Sequence, residues 1–453
     1  PESTAYAPYR GEIRAQGGRI ESHGTLQAAG GRIGIEASNA ADPRAAGVYL
    51  GDGSLTSVAG FWSDVDPAKS VATFRVTSNE LKNAPDQKNG FLLGATVTVD
   101  LREGSNILAL GGYRDAVGRT VAEKAAVGGD LSISSTGSLI QRSRATLDAS
   151  GGGYRYAESR VATSTLVGED GRLHDITNAS AQGRYVAQLD RAQFDDARWG
   201  QNGNITNLAL ASGSYREAHV EGQAGGNVRM GSGAGLVLDG PLQGGVTIGT
   251  RQFQQAPRGA SLWVGTGFQP LSLDLVDQPP VTATYNAESQ RIGHVTWRQQ
   301  ASDILGAGFG AGTALTAAQR DNVLLAAEQV FGPARHTTTG RIETGFASVE
   351  VNSDGRVSLP ASVAIRSDIG SSLTLRGPAL DLAGDIRLPA GTLLLAPQLE
   401  NGVDLIDQAL LAQNERLLVR SSASLSVAGA WLNNSGLGGA AVGQALPSAR
   451  RAA

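Results

Sequence analysis

The chain has 453 residues with a formal net charge of −4, no cysteine, 61 glycines and only 5% aromatic residues. A near-neutral balance without a basic run excludes electrostatic capture of nucleic acid or anionic lipid, and the missing cysteines exclude thiolate metal sites and cysteine nucleophiles. Glycine at nearly twice its ordinary usage, with few aromatics, points away from a wide globular core and toward thin rows of small aliphatic side chains.

The first element, residues 1–37, carries Ile13, Ile20, Leu26 and Ile33 at steps of seven, six and seven residues. Strands of three or four residues closed by glycines fit that spacing, each turning one or two apolar side chains inward by the period of two. Residues 38–127 break the rhythm. Phe74/Val76 and Val97/Val99 predict longer strands joined by a polar loop, an excursion from the repeat. The rhythm returns over 128–153, where Leu131, Ile133, Leu139, Ile140 and Leu147 lie between glycine corners. Residues 154–224 form a second, Tyr- and Asp-rich excursion, with 184–200 expected to be partly helical. Over 225–250 the unit reappears as VRM, LVL, Leu242 and VTI.

A third excursion, 251–340, holds an expected hairpin at 280–298 and an expected helix at 317–331. Thr316 is its N-cap, Gln319 completes a capping box, and Gly332–Pro333 stops it. Val323, Ala326, Ala327 and Val330 would make one apolar face. The clearest repeat is 341–436, where Val357, Leu375 and Leu393 are spaced 18 and 18 residues apart. The tail, 437–453, is expected to be disordered.

Three short strands per 18–20 residues are the arithmetic of a triangular coil. One such coil has no stability, but a stack pairs every strand with the coils above and below and buries a continuous column. The expected fold is therefore all-β, a right-handed parallel β-helix with extra-helical excursions and one short α-helix. A β-sandwich would need hairpins, for which the short steps leave little room.

Catalytic motifs are weak. Asp195–Asp196 is the one adjacent aspartate pair in an excursion, but strand neighbours point to opposite faces, which does not suit an acid/base pair. The histidines His23, His174, His219, His294 and His336 show no ligand spacing, and Glu169–Asp170–Gly171 reads as a turn. Gly231–Gly235 lies between strands with no helix after it, so these are corner glycines and not a phosphate loop. No enzyme activity, cofactor or metal is expected. The candidate binding surface is aromatic: Trp62, Tyr154, Tyr156, Tyr185, Trp199, Trp263, Tyr285 and Trp297 fall almost entirely in the excursions, where they could present a platform to a glycan or protein or instead cover local cores.

No apolar run approaches the roughly 20 residues that span a bilayer, so membrane insertion is not expected. Pro1–Tyr9 lacks a basic n-region and an apolar h-region, so the chain reads as a cytosolic protein or an internal segment of a longer secreted one. The absence of cysteine fits either chance in a high-GC, Ala/Gly-rich genome or export in an unfolded state through an oxidising compartment.

The segment 118–176, GRTVAEKAAVGGDLSISSTGSLIQRSRATLDASGGGYRYAESRVATSTLVGEDGRLHDI, resembles the C-terminal conserved region of filamentous-haemagglutinin-like exoproteins. The matching features are its VGG entry, the Ser-Gly-Gly turn, the Tyr-x-Tyr and the Asp-Gly-Arg turn. NELKNAPDQKNGFLLGATVTVDLR at 79–102 and LSVAGAWLNN at 425–434 extend the likeness, so that it covers about residues 11–436. These motifs are structural. The resemblance implies a Gram-negative protein secreted by two-partner secretion, exported through an outer-membrane β-barrel transporter, folded at the cell surface, and adhering to host cells, surfaces or other bacteria. The family's N-terminal secretion domain is absent, which implies a fragment of a longer protein, and there is no Arg-Gly-Asp tripeptide for integrin binding. Alternatives are the stalk of a contact-dependent growth-inhibition toxin and a polysaccharide-cleaving β-helix enzyme.

Overall fold

The computed structural model describes residues 10–116, 121–189, 191–196, 198, 201–206, 213–252, 255–265, 294–332, 335–336, 340–343, 345–353, 355–397 and 416–429. The chain is all-β. Strands in several parallel and antiparallel sheets carry the architecture, and the α-helices among the described residues are four short ones: Gly111–Ala116, Val121–Lys124, Ala317–Asp321 and Ala327–Val330. It divides into two compact units. The larger comprises residues 1–62, 121–153 and 221–453; the smaller comprises 63–120 and 154–220.

The larger unit is organised by one eight-stranded sheet. Its strands, in spatial and chain order, are Glu12–Gly17, Arg32–Ala37, Asp130–Ser135, Asn227–Ser232, Ser261–Gly265, Ser348–Asn352, Ser372–Arg376 and Thr392–Ala396. Every neighbouring pair is parallel and in register. Alternate side chains therefore line up from rung to rung. One column runs Ile13, Ile33, Leu131, Val228, Leu262, Val349, Leu373, Leu393. The second, two residues on, runs Ala15, Ile35, Ile133, Met230, Val264, Val351, Leu375, Leu395. The inner members are buried and the end members half-buried, and each buried aliphatic side chain contributes about 1.5–3 kcal/mol relative to exposure.

Two further parallel sheets hold the short strands that follow along the chain. Arg19–Ser22, Gly47–Leu50, Ser138–Gln141 and Leu236–Leu238 stack Ile20, Val48, Leu139 and Leu236. Thr25–Gln27, Leu55–Ser57, Thr146–Asp148 and Leu242–Gln243 stack Leu26, Thr56, Leu147 and Leu242. Toward the C-terminus Arg356–Leu359, Ala379–Leu382 and Arg416–Val419 form one parallel ladder, and Ala364–Arg366, Asp385–Arg387 and Ser424–Ser426 another.

Glycine sets how closely the rungs approach. Gly11, Gly31, Gly129 and Gly226 each precede a strand of the large sheet, and their carbonyls accept from the N–H of Arg32, Asp130, Asn227 and Ser261 respectively, each at 2.9 Å. A Cβ on Gly31 would enter the Gly11 carbonyl, one on Gly129 the Gly31 carbonyl, and one on Gly226 the Gly129 carbonyl. Backbone meets backbone here, so no side chain can swing aside.

The structure corrects several boundaries expected from the sequence. The second rung does not end at Ala37: Gly47–Leu50 and Leu55–Ser57 belong to it, after a short detour in which Asn39 Oδ1 accepts from the N–H of Ala41 and Asp42. The stretch 184–200, expected to be partly helical, contains the strands Tyr185–Gln188 and Arg191–Asp196, the latter paired with Gln201–Thr206 and including Asp195 and Asp196. The capping box of Thr316 and Gln319 is present, but its helix ends at Asp321 and not at 331. Asn322–Ala326 is instead a strand parallel to His294–Arg298, burying Val323 and Leu325 with Val295 and Trp297 at the period of two. His294–Arg298, expected in a hairpin, therefore lies in a parallel ladder, while residues 280–293 and the tail 437–453 lie outside the described residues.

The outer face of the second sheet is covered. Tyr49, Ile140 and Val237 lie in register on it and are buried by Leu315, with Ile304, Leu305, Phe309 and Ala311 packed alongside. Polar hooks hold this strap. Tyr49 Oη donates to Phe309 O at 3.2 Å, Arg142 Nη2 to Gly306 O at 2.8 Å, and Ile304 N to Asp239 Oδ2 at 3.0 Å. Asp239, nearly inaccessible, pairs with Arg298 at 2.9 Å. Burial pushes its carboxyl above the ordinary value, against the opposing pull of Arg298 and the Ile304 N–H.

The smaller unit has its own core, built from both excursions. Val71–Arg75 pairs antiparallel with Thr96–Asp100, and Thr165–Gly168 lies between Leu173–Asp175 and Tyr185–Gln188. Leu81, Leu92, Val97, Val99 and Ile107 from the first segment bury against Leu166, Ile176 and Tyr185 from the second. The turn expected at Glu169–Asp170–Gly171 closes a hairpin, with Gly171 at φ 74° and Asp170 Oδ1 accepting from Arg172 N.

Two measurements test this account. Gly129→Ala is expected to lower the unfolding free energy by about 2 kcal/mol, whereas Gly24→Ala, with nothing within 4 Å of the added methyl, changes it by less than about 0.5 kcal/mol. Urea melts that did not separate the two variants would refute the close-approach argument. At the C-terminal rung, Arg420 Nε and Nη2 clamp the two oxygens of Asp381 at 2.6 Å each and hold its carboxyl below the usual 3.8. A depressed carboxylate stabilises the fold above its unfolded pKa and loses that contribution as pH falls through the folded value. Opening free energies from hydrogen exchange at Leu417 and Leu418 are thus expected to fall as pH drops below the usual carboxylate range, and to fall less in Asp381→Asn.

Candidate binding surface

The strand Gly153–Tyr156 reads GYRY, so the period of two puts Tyr154 and Tyr156 on one face and Arg155 on the other. Both tyrosines are half-buried. Their rings meet edge to face, with centroids 6.3 Å apart. The imidazole of His219 stacks on Tyr156, with centroids 4.5 Å apart and planes 7° from parallel. The Arg102 guanidinium carbon lies 5.8 Å from the Tyr156 centroid, within the range of a cation–π contact. These four residues all belong to the smaller unit.

Charge surrounds the same unit's aromatic groups. Arg155 faces Asp64 at 3.6 Å, and Arg216 faces Glu103 at 2.9 Å. Tyr215 is 56% exposed and donates to Glu158 Oε2 at 2.7 Å, a bond that raises its phenol pKa. Flat ring faces flanked by paired ions offer stacking area and hydrogen-bond donors together, the combination that protein and glycan recognition uses.

The remaining aromatics are dispersed. Trp297 is fully buried, stacked in register with Leu325, and Tyr185 is a core residue whose hydroxyl donates to Ser180 O at 2.9 Å. Neither can contribute to a surface, because each fills the interior of its own unit. Trp62 and Trp263 are half-buried in the larger unit; Trp62 lies against Gly153, and the Trp263 ring folds over Gly265. Trp199 and Tyr285 lie outside the described residues. Sequence reasoning missed His219 and Arg102. Neither is near Tyr156 in the chain, and a lone histidine or arginine carries no signal until the fold places it on a ring.

No protein-family model, no curated protein and no solved structure matches this chain.

The stack has a direct spectroscopic consequence. A parallel ring above an imidazole shields its protons, so Tyr156→Ala is expected to move the His219 ring resonances downfield in NMR spectra while leaving those of His23 in place. Unmoved His219 signals would show that the two rings are not stacked in solution.

Proposed function

We propose that this chain is a structural and adhesive segment of a secreted bacterial surface protein of the filamentous-haemagglutinin-like kind, and that its larger unit is a right-handed parallel β-helix with three short strands per coil. The observation that carries the reading is the eight-stranded parallel sheet, whose rungs keep register from Glu12 to Ala396 while long segments leave and rejoin between them. A stack of this kind grows by adding rungs to an existing edge, which suits a chain emerging through an outer-membrane β-barrel transporter and folding outside. A chain without cysteine forms no premature disulfide on that route. Within the smaller unit, the Tyr154, Tyr156, His219 and Arg102 patch is the proposed contact for a host-surface glycan or protein.

Beads coated with the protein are expected to adhere to epithelial cells or to bacteria above albumin-coated controls. The double variant Tyr154→Ala, Tyr156→Ala is expected to cut adhesion about tenfold or more, a hot-spot loss of at least ~1.4 kcal/mol. Adhesion no better than albumin would sink the adhesive reading; adhesion unaffected by the double variant would move the contact elsewhere on the molecule.

A further inference from the structure

The larger unit contains a cleft of about 700 Å³ where the third sheet, the start of the strap and the short helix Ala327–Val330 meet. Its volume falls in the range of small-ligand sites. Pro241, Leu242 and Ala301 supply apolar surface; Ser143, Gln300 and Gln329 supply neutral hydrogen-bonding groups; Asp239, Asp303 and Glu328 supply carboxylates.

The carboxylates are not equivalent. Asp239 is held by Arg298 at 2.9 Å and by the Ile304 N–H at 3.0 Å, so both oxygens are occupied and the residue is part of the wall. Asp303 faces the buried Arg142 at 3.4 Å. Glu328 has no cation in its pairings; its oxygens accept from Gln299 Nε2 at 3.0 Å and Gln300 Nε2 at 3.2 Å. Two of the three charges are thus neutralised, leaving a weakly acidic cleft. Among the described residues no cluster of three His, Asp or Glu side chains is arranged to hold a metal ion.

One group is left over. The Nε2 of Gln329 is buried without a hydrogen-bond partner, a state that costs about 1–3 kcal/mol unless a partner arrives. We propose that the cleft binds an uncharged saccharide. With the Gln329 amide turned toward the cleft, a sugar hydroxyl accepts from its Nε2, neighbouring hydroxyls donate to Asp303 and Glu328, and the apolar face of the ring rests on the exposed Pro241 and Ala301. The anchored Asp239–Arg298 and Asp303–Arg142 pairs fix the walls beforehand, which lowers the ordering penalty on binding. The residual charge of Glu328 repels an acidic sugar. This site and the Tyr154–His219 patch share no residue, so either can fail alone.

The test uses the full chain with cellotriose and mannotriose as neutral probes and trigalacturonate as the acidic one, read by saturation-transfer NMR and calorimetry. At least one neutral trisaccharide is expected to bind saturably and trigalacturonate not to. Gln329→Leu is expected to weaken that binding about tenfold, the loss of roughly one hydrogen bond to a buried donor, with a thermal midpoint that is equal or higher because the unpartnered donor is gone. Glu328→Gln, which keeps the shape, is expected to retain neutral binding and to admit trigalacturonate. The proposal is overturned if neither neutral sugar binds, if trigalacturonate binds the unaltered protein as tightly, or if a folded Gln329→Leu variant keeps full affinity.

Discussion

Backbone hydrogen bonding from one rung to the next is the constraint on which the rest of this molecule depends. Strands such as Thr25–Gln27 or Thr146–Asp148 are three residues long, far too short to persist alone, and each exists because a neighbouring rung satisfies its N–H and C=O groups. The glycines at 31, 129 and 226 let those backbones close to hydrogen-bonding distance. The apolar columns follow, since parallel in-register pairing places like positions above one another.

That constraint acts only on the rungs, which explains the freedom between them. Arg32 and Asp130 are partners in one ladder although 98 residues separate them, and Asp130 and Asn227 are partners across 97. Loop-closure entropy grows only with the logarithm of length, so a long departure is little worse than a short one once the rungs hold. The intervening segments are then free to bury surface of their own, as Leu81 and Leu92 do with Leu166 and Ile176.

The sequence carried the rungs legibly because their signal is local. Leu131 and Ile133, or Leu373 and Leu375, announce both a strand and its inward face by period two alone. What it hid was decided by distant partners. Thr316 and Gln319 start a helix by local chemistry, yet Val323 and Leu325 gain more by pairing with Val295 and Trp297, so the helix stops at Asp321. Trp297 is indistinguishable by composition from a surface tryptophan, and only its register in a ladder makes it core. The same limit applies to the binding patch: Tyr154 and Tyr156 were visible as a pair, whereas His219 and Arg102 join them through tertiary structure. The strap was hidden likewise, because Ile304, Leu305 and Phe309 show no periodicity and cover Tyr49, Ile140 and Val237 from far along the chain.

The divided composition of the smaller unit imposes an order in time. Residues 63–120 leave the stack before the rung at 130–148 is made, but their apolar side chains are completed by residues 166–185, which come after it. As the chain is made from its N-terminal end, Val97, Val99 and Ile107 therefore have only their own segment, such as Leu81 and Leu92, to pack against while a whole rung is laid down. The stack must hold its register through that interval before the smaller unit's core is complete. A chain made only as far as the rung at 130–148 holds half of that core, and the later segment, 154–220, completes it.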